Sequence, residues 1–248
     1  MDARGLMIKL ESVTKAFKTP GGRNRLEILR GLDMSIAGGE TVALVGPSGC
    51  GKSTLLNIIG GLDIADSGLV EVGGQDLAKL TPANLAQFRN RTVGFLFQNH
   101  HLLPQCSVLE NALIPALAFS SRPDAKTSSR ASELLEKVGL KDRLNHRPSE
   151  LSGGERQRVA LVRSVVLQPK VLLADEPTGA LDPETAGHMA ELLIHMNHDE
   201  GLTLVAVTHS MELASRMSRT LQFIDGTLRD ISADHNQSGT SPSSSPSA

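Results

Sequence analysis

The chain has 248 residues, 40% hydrophobic and 21% charged, with a formal net charge of -2. That balance fits one well-buried α/β domain and argues against a bulk binder of nucleic acid or anionic lipid. Two cysteines, Cys50 and Cys106, make no disulfide framework. The N-terminus carries no apolar signal-peptide core, and no apolar run approaches the roughly 20 residues that span a bilayer. A membrane part, if one is needed, is expected on another chain.

A first strand is predicted at Leu6–Val13, where apolar and polar residues alternate. Thr19-Pro20-Gly21-Gly22 makes Lys18–Arg25 a turn. Strands are predicted again at Ile28–Ile36 and Glu40–Val45, and a helix at Ser53–Gly60. Strand-like runs recur at Gly68–Val72, Val93–Phe97, Val171–Ala174 and Leu202–Thr208. The last two are almost wholly apolar, as central strands covered on both faces should be.

Residues about 99–165 differ. In Ser132–Val138, Leu134, Leu135 and Val138 share one helical face, opposite Glu133, Glu136 and Lys137. This predicts a mostly helical subdomain inserted between two strands. Ala233–Ala248 holds six serines, two prolines and no large apolar residue. It cannot bury a core and is expected to be a disordered tail after a single domain of residues 1–232.

Gly46-Pro47-Ser48-Gly49-Cys50-Gly51-Lys52-Ser53-Thr54 fits the phosphate-loop pattern at every fixed position. Gly46, Gly49 and Gly51 let backbone N–H groups fold around a phosphate. The helix beginning near Lys52 adds its positive end. Lys52 supplies a mobile charge for β- and γ-phosphates, Ser53 a hydroxyl for Mg²⁺, and Thr54 a contact to a phosphate oxygen. Cys50 fills a variable position with a small side chain. Such a loop predicts nucleotide binding, a property shared by kinases, GTPases, helicases and transport ATPases.

Val171-Leu172-Leu173-Ala174-Asp175-Glu176 is an apolar run ending in two carboxylates. Asp175 suits Mg²⁺ coordination, directly or through water. Glu176, one residue beyond, suits a general base for the attacking water. Leu151-Ser152-Gly153-Gly154-Glu155-Arg156-Gln157-Arg158 offers a second anion-binding helix start at Ser152, Gly153 and Gly154.

That last segment resembles the signature of ABC transporter ATPases. The resemblance covers about Met7 to Ile231 and implies a P-loop NTPase core of the ABC type, with an antiparallel β subdomain and an inserted α-helical subdomain. It implies ATP and Mg²⁺ as ligands. It also implies two subunits packed head to tail, each signature covering the γ-phosphate on its partner's loop. Gln98 matches the Q-loop glutamine, a Mg²⁺ and nucleotide sensor. Gly179-Ala180-Leu181-Asp182 matches the D-loop, with Asp182 also a helix N-cap ahead of Pro183. His209 matches the switch histidine, whereas the seven other histidines are expected in surface or packing roles. Phe17 stands where an adenine-stacking aromatic residue, often Tyr, is usual; Ser210 stands where Asp is frequent.

Within the family the wording is most similar to the LolD-like group, related to the MacB-type ATPases. It is carried by Gly94-Phe95-Leu96-Phe97-Gln98 through Pro104, by Asn145-His146-Arg147-Pro148-Ser149-Glu150, and by Thr208-His209 through Arg219. The resemblance implies a homodimer at the cytoplasmic face of the inner membrane, bound to LolC/LolE-like permease subunits, releasing lipoproteins without touching nucleic acid. MacB-type mechanical work and cell-division-type regulation are the alternatives. A groove between the Gln98 segment and the helical insertion is expected to receive a permease helix. His100–Pro104 either lines that groove or is an ordinary loop entering a helix.

Overall fold

A computed structural model describes residues 5–18 and 25–232. The expected turn at Thr19–Gly22 and the expected disordered tail lie outside the described residues. Strands β1 (Leu6–Lys18) and β2 (Arg25–Ala37) form a long antiparallel pair. They join β4 (Ser67–Val72) and the short β5 (Gln75–Asp76) in a sheet of order β2-β1-β4-β5. A second sheet has the order β10-β9-β3-β8-β7-β6. Its strands are β3 (Thr41–Val45), β6 (Val93–Phe97), β7 (Val171–Asp175), β8 (Thr203–Val207), β9 (Arg219–Ile224) and β10 (Thr227–Asp230). All its pairings are parallel except β9 with β10.

The central strands are buried on both faces, and the two-residue period sorts their side chains. Ala43, Leu172, Ala174, Leu204 and Ala206 enter a core shared with the helical side of the molecule. Val42, Leu44, Val171, Leu173, Val205 and Val207 enter a second core with the antiparallel sheet. Helix α1 (Lys52–Ile59) lies in that second core through Leu55, Leu56, Ile58 and Ile59. Helix α2 (Pro82–Thr92) adds Phe88 and runs directly into β6.

Between the neighbouring strands β6 and β7 come α3 (Val108–Leu113), α4 (Ala125–Lys137) and α5 (Gly153–Val165). Leu134, Leu135 and Val138 turn into the first core, the face predicted for them. Helix α6 (Pro183–Glu200) precedes β8, and α7 (Met211–Ser215) follows it.

The first strand runs past its predicted end at Val13. The alternation continues, but its next inward position is Lys15, which is buried. Its ammonium donates to Asp63 Oδ1 at 2.6 Å and to the Ile64 carbonyl at 2.7 Å. A buried lysine breaks the apolar pattern without breaking the strand.

Helix α5 rides close over β6. A Cβ at Gly94 would overlap the carbonyl oxygen of Ser164 in α5. Gly94→Ala should therefore lift α5 off the sheet and cost about 1–3 kcal/mol. Denaturant unfolding checks it, and an unchanged midpoint would show that α5 is not seated there.

Candidate active site

Four loops leave the carboxyl edges of four adjacent strands, in the spatial order β3, β8, β7, β6. They carry Lys52, His209, the pair Asp175–Glu176, and Gln98. At roughly 4.8 Å per strand the row spans about 14 Å. Parallel α/β sheets bind ligands along this edge.

The loop after β3 has three glycines with positive φ: Gly46 at 148°, Gly49 at 77° and Gly51 at 115°. At Gly51 a side chain would strike Ile28, so the backbone needs both the conformation and the space. Lys52 is buried, and its Nζ donates to the carbonyls of Gly46 at 2.8 Å and Pro47 at 2.9 Å. Cys50 Sγ lies 3.8 Å from that nitrogen. Pro47, Ser48 and Gly49 form the exposed crest of the loop.

The start of α1 is chemically open. Thr81, Ser107, Asp124, Ser152, Asp182 and Ser210 each cap the N-terminus of a helix with a side-chain acceptor. Gly51, ahead of α1, supplies none. Among the described residues, α1 is the one α-helix whose first N–H groups receive no side-chain cap. Those of Lys52, Ser53 and Thr54 therefore suit a phosphate.

Ser53 Oγ donates to Asp175 Oδ1 at 3.2 Å, across 122 residues of sequence. Two hard oxygens at that separation match neighbouring ligands of an octahedral Mg²⁺, which stand about 3 Å apart. No cluster of three His, Cys, Asp or Glu ligands occurs among the described residues. Phosphate oxygens and water would have to complete the set, as is usual for Mg²⁺.

Glu176 has φ of 47°, a left-handed conformation uncommon for a non-glycine residue. Its N–H donates to Val207 O at 2.9 Å, and its carbonyl accepts from Gly179 N at 3.1 Å. The pairing of Asp175 with Val207 sets the two chain exits side by side. Glu176 Oε2 accepts from the His209 backbone N–H at 3.1 Å. Oε1 is buried and lacks a hydrogen-bond donor, although His209 Nε2 is only 3.3 Å away. The ring is close enough for charge attraction, but no N–H is aligned on that oxygen. A carboxylate oxygen so placed has a lone pair free for a proton.

Gln98 is exposed just beyond β6, with its side-chain amide beside Gly179. The signature segment lies against Leu181 and the first turn of α6. Side chains built at Gly153 and Gly154 would meet Leu181 and Thr185. Ser152 Oγ accepts from the Glu155 N–H at 3.2 Å, and the Glu155 carboxylate accepts from the Ser152 N–H at 2.7 Å. That N–H is the main reason the Glu155 carboxyl titrates below its ordinary range. The helix start expected to be open is therefore already boxed, though the Ser152 hydroxyl keeps its own proton to donate.

Asp182 caps α6 through the Thr185 N–H at 3.0 Å, and the Thr185 hydroxyl and N–H hold its carboxyl below the usual range. Ser210 caps α7, which explains a serine where aspartate is frequent, since both are good N-caps. Phe17, near the end of β1, is 43% exposed, and Lys15 Nζ lies 5.1 Å from its ring centroid. That leaves ring surface for stacking.

Comparison with known proteins agrees with this arrangement. A family model described as ABC transporter matches residues 29–179. The chain belongs to the ABC transporter family, as one of its ATP-binding, ATP-hydrolysing subunits. Within the family it is similar to lipoprotein-releasing system ATP-binding proteins LolD. The LolD 1 protein of Rhodopirellula baltica is 49% identical over 222 residues, 90% of this chain and 96% of that one. The Geobacter metallireducens LolD is 50% identical over 221 residues, covering 89% and 96%. A solved dimeric ATP-binding cassette in a post-hydrolysis state, bound to ADP and Pi, superposes with a TM-score of 0.81 at 37% identity. It covers 90% of this chain and 97% of that one.

Proposed function

We propose that the chain powers lipoprotein release from the inner membrane as a homodimer of ATPase subunits held on LolC/LolE-like permeases. The observation that carries the catalytic part is the meeting of Ser53 with Asp175 and of Glu176 with His209 on one sheet edge. The LolD relatives, near 50% identity over nine-tenths of the chain, support the cargo.

In this reading the phosphate loop, from Gly46 to Thr54, and the start of α1 bind the phosphates of ATP, and Phe17 stacks on adenine. Ser53 and Asp175 would hold Mg²⁺ with Gln98 nearby, and the ion would supply positive charge to offset that of the phosphates. The Glu176 carboxylate takes the proton of the attacking water, and His209 steadies that carboxylate and reaches the γ-phosphate. Ser152, Gly153 and Gly154 serve the partner's ATP. ATP closes the dimer because donors from both subunits meet only there.

No described helix is long and apolar enough to cross a membrane, so the permease supplies the span. The helical subdomain of about residues 99–165 is proposed as its seat. A groove of about 700 Å³ runs between β6, the end of α2 and the segment Ile114–Phe119 that follows α3, lined by Phe95, Phe97, His101, Ile114, Phe119 and Arg163. Of His100–Pro104 only His101 lines it. The backbone of Leu103 exchanges two hydrogen bonds with the fully buried Asn111, while the Leu103 side chain stays exposed.

Phe119 is 59% exposed at that groove. Phe119→Asp should weaken co-purification with the permease about tenfold or more and leave ATP turnover by the isolated chain unchanged. Undiminished co-purification would move the docking face elsewhere. For the function itself, the chain and its permease in lipoprotein-bearing proteoliposomes should release lipoprotein when ATP is added. ATP turnover without release would overturn the assignment of cargo.

A further inference from the structure

Gln157 lies in α5, five residues after Ser152, and is 1% exposed. Its Nε2 donates to the carbonyl of Phe97 at 3.2 Å and to that of Pro177 at 2.9 Å. Phe97 immediately precedes Gln98, and Pro177 immediately follows Glu176. One amide therefore joins the exits of β6 and β7. One and a half turns further on, Arg163 donates to the carbonyls of His100 at 2.6 Å and His101 at 2.7 Å. The segment carrying Gln98 is thus held by α5 on both sides.

We propose that Gln157 is a positioning residue for ATP hydrolysis, tying the backbone beside Gln98 and beside Glu176 to the helix that begins with the signature. The inference rests on the roles proposed above for those two residues. Three observations carry it. The two N–H bonds of an amide diverge at a fixed angle, so satisfying both carbonyls fixes where they lie relative to each other. Pro177 has no N–H of its own, so a hydrogen bond can pin its peptide only through the carbonyl. Glu176, the residue before it, keeps a left-handed backbone that its surroundings must enforce.

A fourth observation separates positioning from plain packing. Gln157 Oε1 is buried with no donor. A buried, unpaired acceptor opposes stability, so the residue is a poor choice for filling a core. Its donors do the useful work. Ser152 stands about 7.5 Å up the helix from Gln157, at the rise of 1.5 Å per residue. A shift of α5 at the partner's nucleotide is then felt at this subunit's own Gln98 and Glu176.

Gln157→Met keeps the length of the side chain and removes both donors. In the full chain, kcat for ATP should fall about tenfold or more, while KM for ATP changes less than about threefold. The melting temperature should stay within a few degrees, because losing the unpaired oxygen offsets losing the donors. Gln157→Glu aims a carboxylate at two carbonyl oxygens. Burial and those oxygens favour its protonated form, which regains one donor. Its activity relative to the unsubstituted protein should therefore rise as the pH falls from 8 to 6.

Wild-type kcat in Gln157→Met overturns the inference. So does a loss of kcat that tracks a lowered melting temperature with no recovery of Gln157→Glu at low pH. Glu176→Gln, measured alongside, tells the two levels apart. If that variant stays active, the site reading has failed; if it is inactive while Gln157→Met is normal, only the positioning role has failed.

Discussion

Glu176→Gln should lower kcat about 100- to 1,000-fold and leave ATP binding intact. The substitution preserves shape, and the amide oxygen can still accept the His209 N–H now bonded to Oε2. The change falls on Oε1, the buried oxygen that lacks a donor. An amide in place of the carboxylate no longer offers the basic group that takes the water's proton. The Lys52 loop and the α1 start are untouched, so nucleotide still loads. If closure precedes hydrolysis and opening follows it, ATP-bound dimers should accumulate. Size-exclusion chromatography with ATP and Mg²⁺ checks this. A variant that remains monomeric under conditions where dimers are detectable would refute the sandwich, and one that turns over normally would refute the base.

Whether a feature was legible in the sequence depended on how local its cause is. The apolar runs of β3, β7 and β8 are strands because both their faces are covered, and that shows in the residues themselves. The phosphate loop is legible for the same reason, since its glycines and Lys52 act within nine residues. By contrast, β9 contains Arg219 and Gln222, and β10 is a short edge strand. Neither carries a pattern that separates it from a loop. The contact of Glu176 with His209 spans 33 positions and exists because β7 and β8 pair in register.

Gln157 was hidden for a further reason. A glutamine beside two arginines on a helix reads as a solvated face. Its burial is set by β6 and the Pro177 turn, both distant in sequence. The open start of α1 became meaningful only once the capping of the other helices was known. A glycine before a helix is common, whereas among the described residues one uncapped α-helix beside six capped ones has free N–H groups that suit an anion.

Lys52→Ala should raise the ATP dissociation constant at least 100-fold and abolish measurable turnover. Hydrogen bonds to charged groups contribute about 1.5–3 kcal/mol each, and each 1.4 kcal/mol is a factor of ten. Two such bonds to phosphate oxygens are therefore worth a factor of about 100 to 10,000. The ammonium at present serves the carbonyls of Gly46 and Pro47. It must exchange those neutral acceptors for anionic phosphate oxygens, and charge-assisted bonds are the stronger. The same geometry argues that the fold survives. Gly46 and Pro47 border solvent, so water can replace the lysine at their carbonyls. The melting temperature without nucleotide should stay near that of the unsubstituted protein, while stabilisation by ATP disappears. Lys52→Arg should rescue poorly, because a planar fork cannot reproduce a compact ammonium inside a turn of three glycines. Calorimetric titration with ATP, beside thermal melts with and without it, separates these effects. An unchanged dissociation constant would remove Lys52 from the site, whereas lost binding with a collapsed melting temperature would make the lysine a structural strut of its loop.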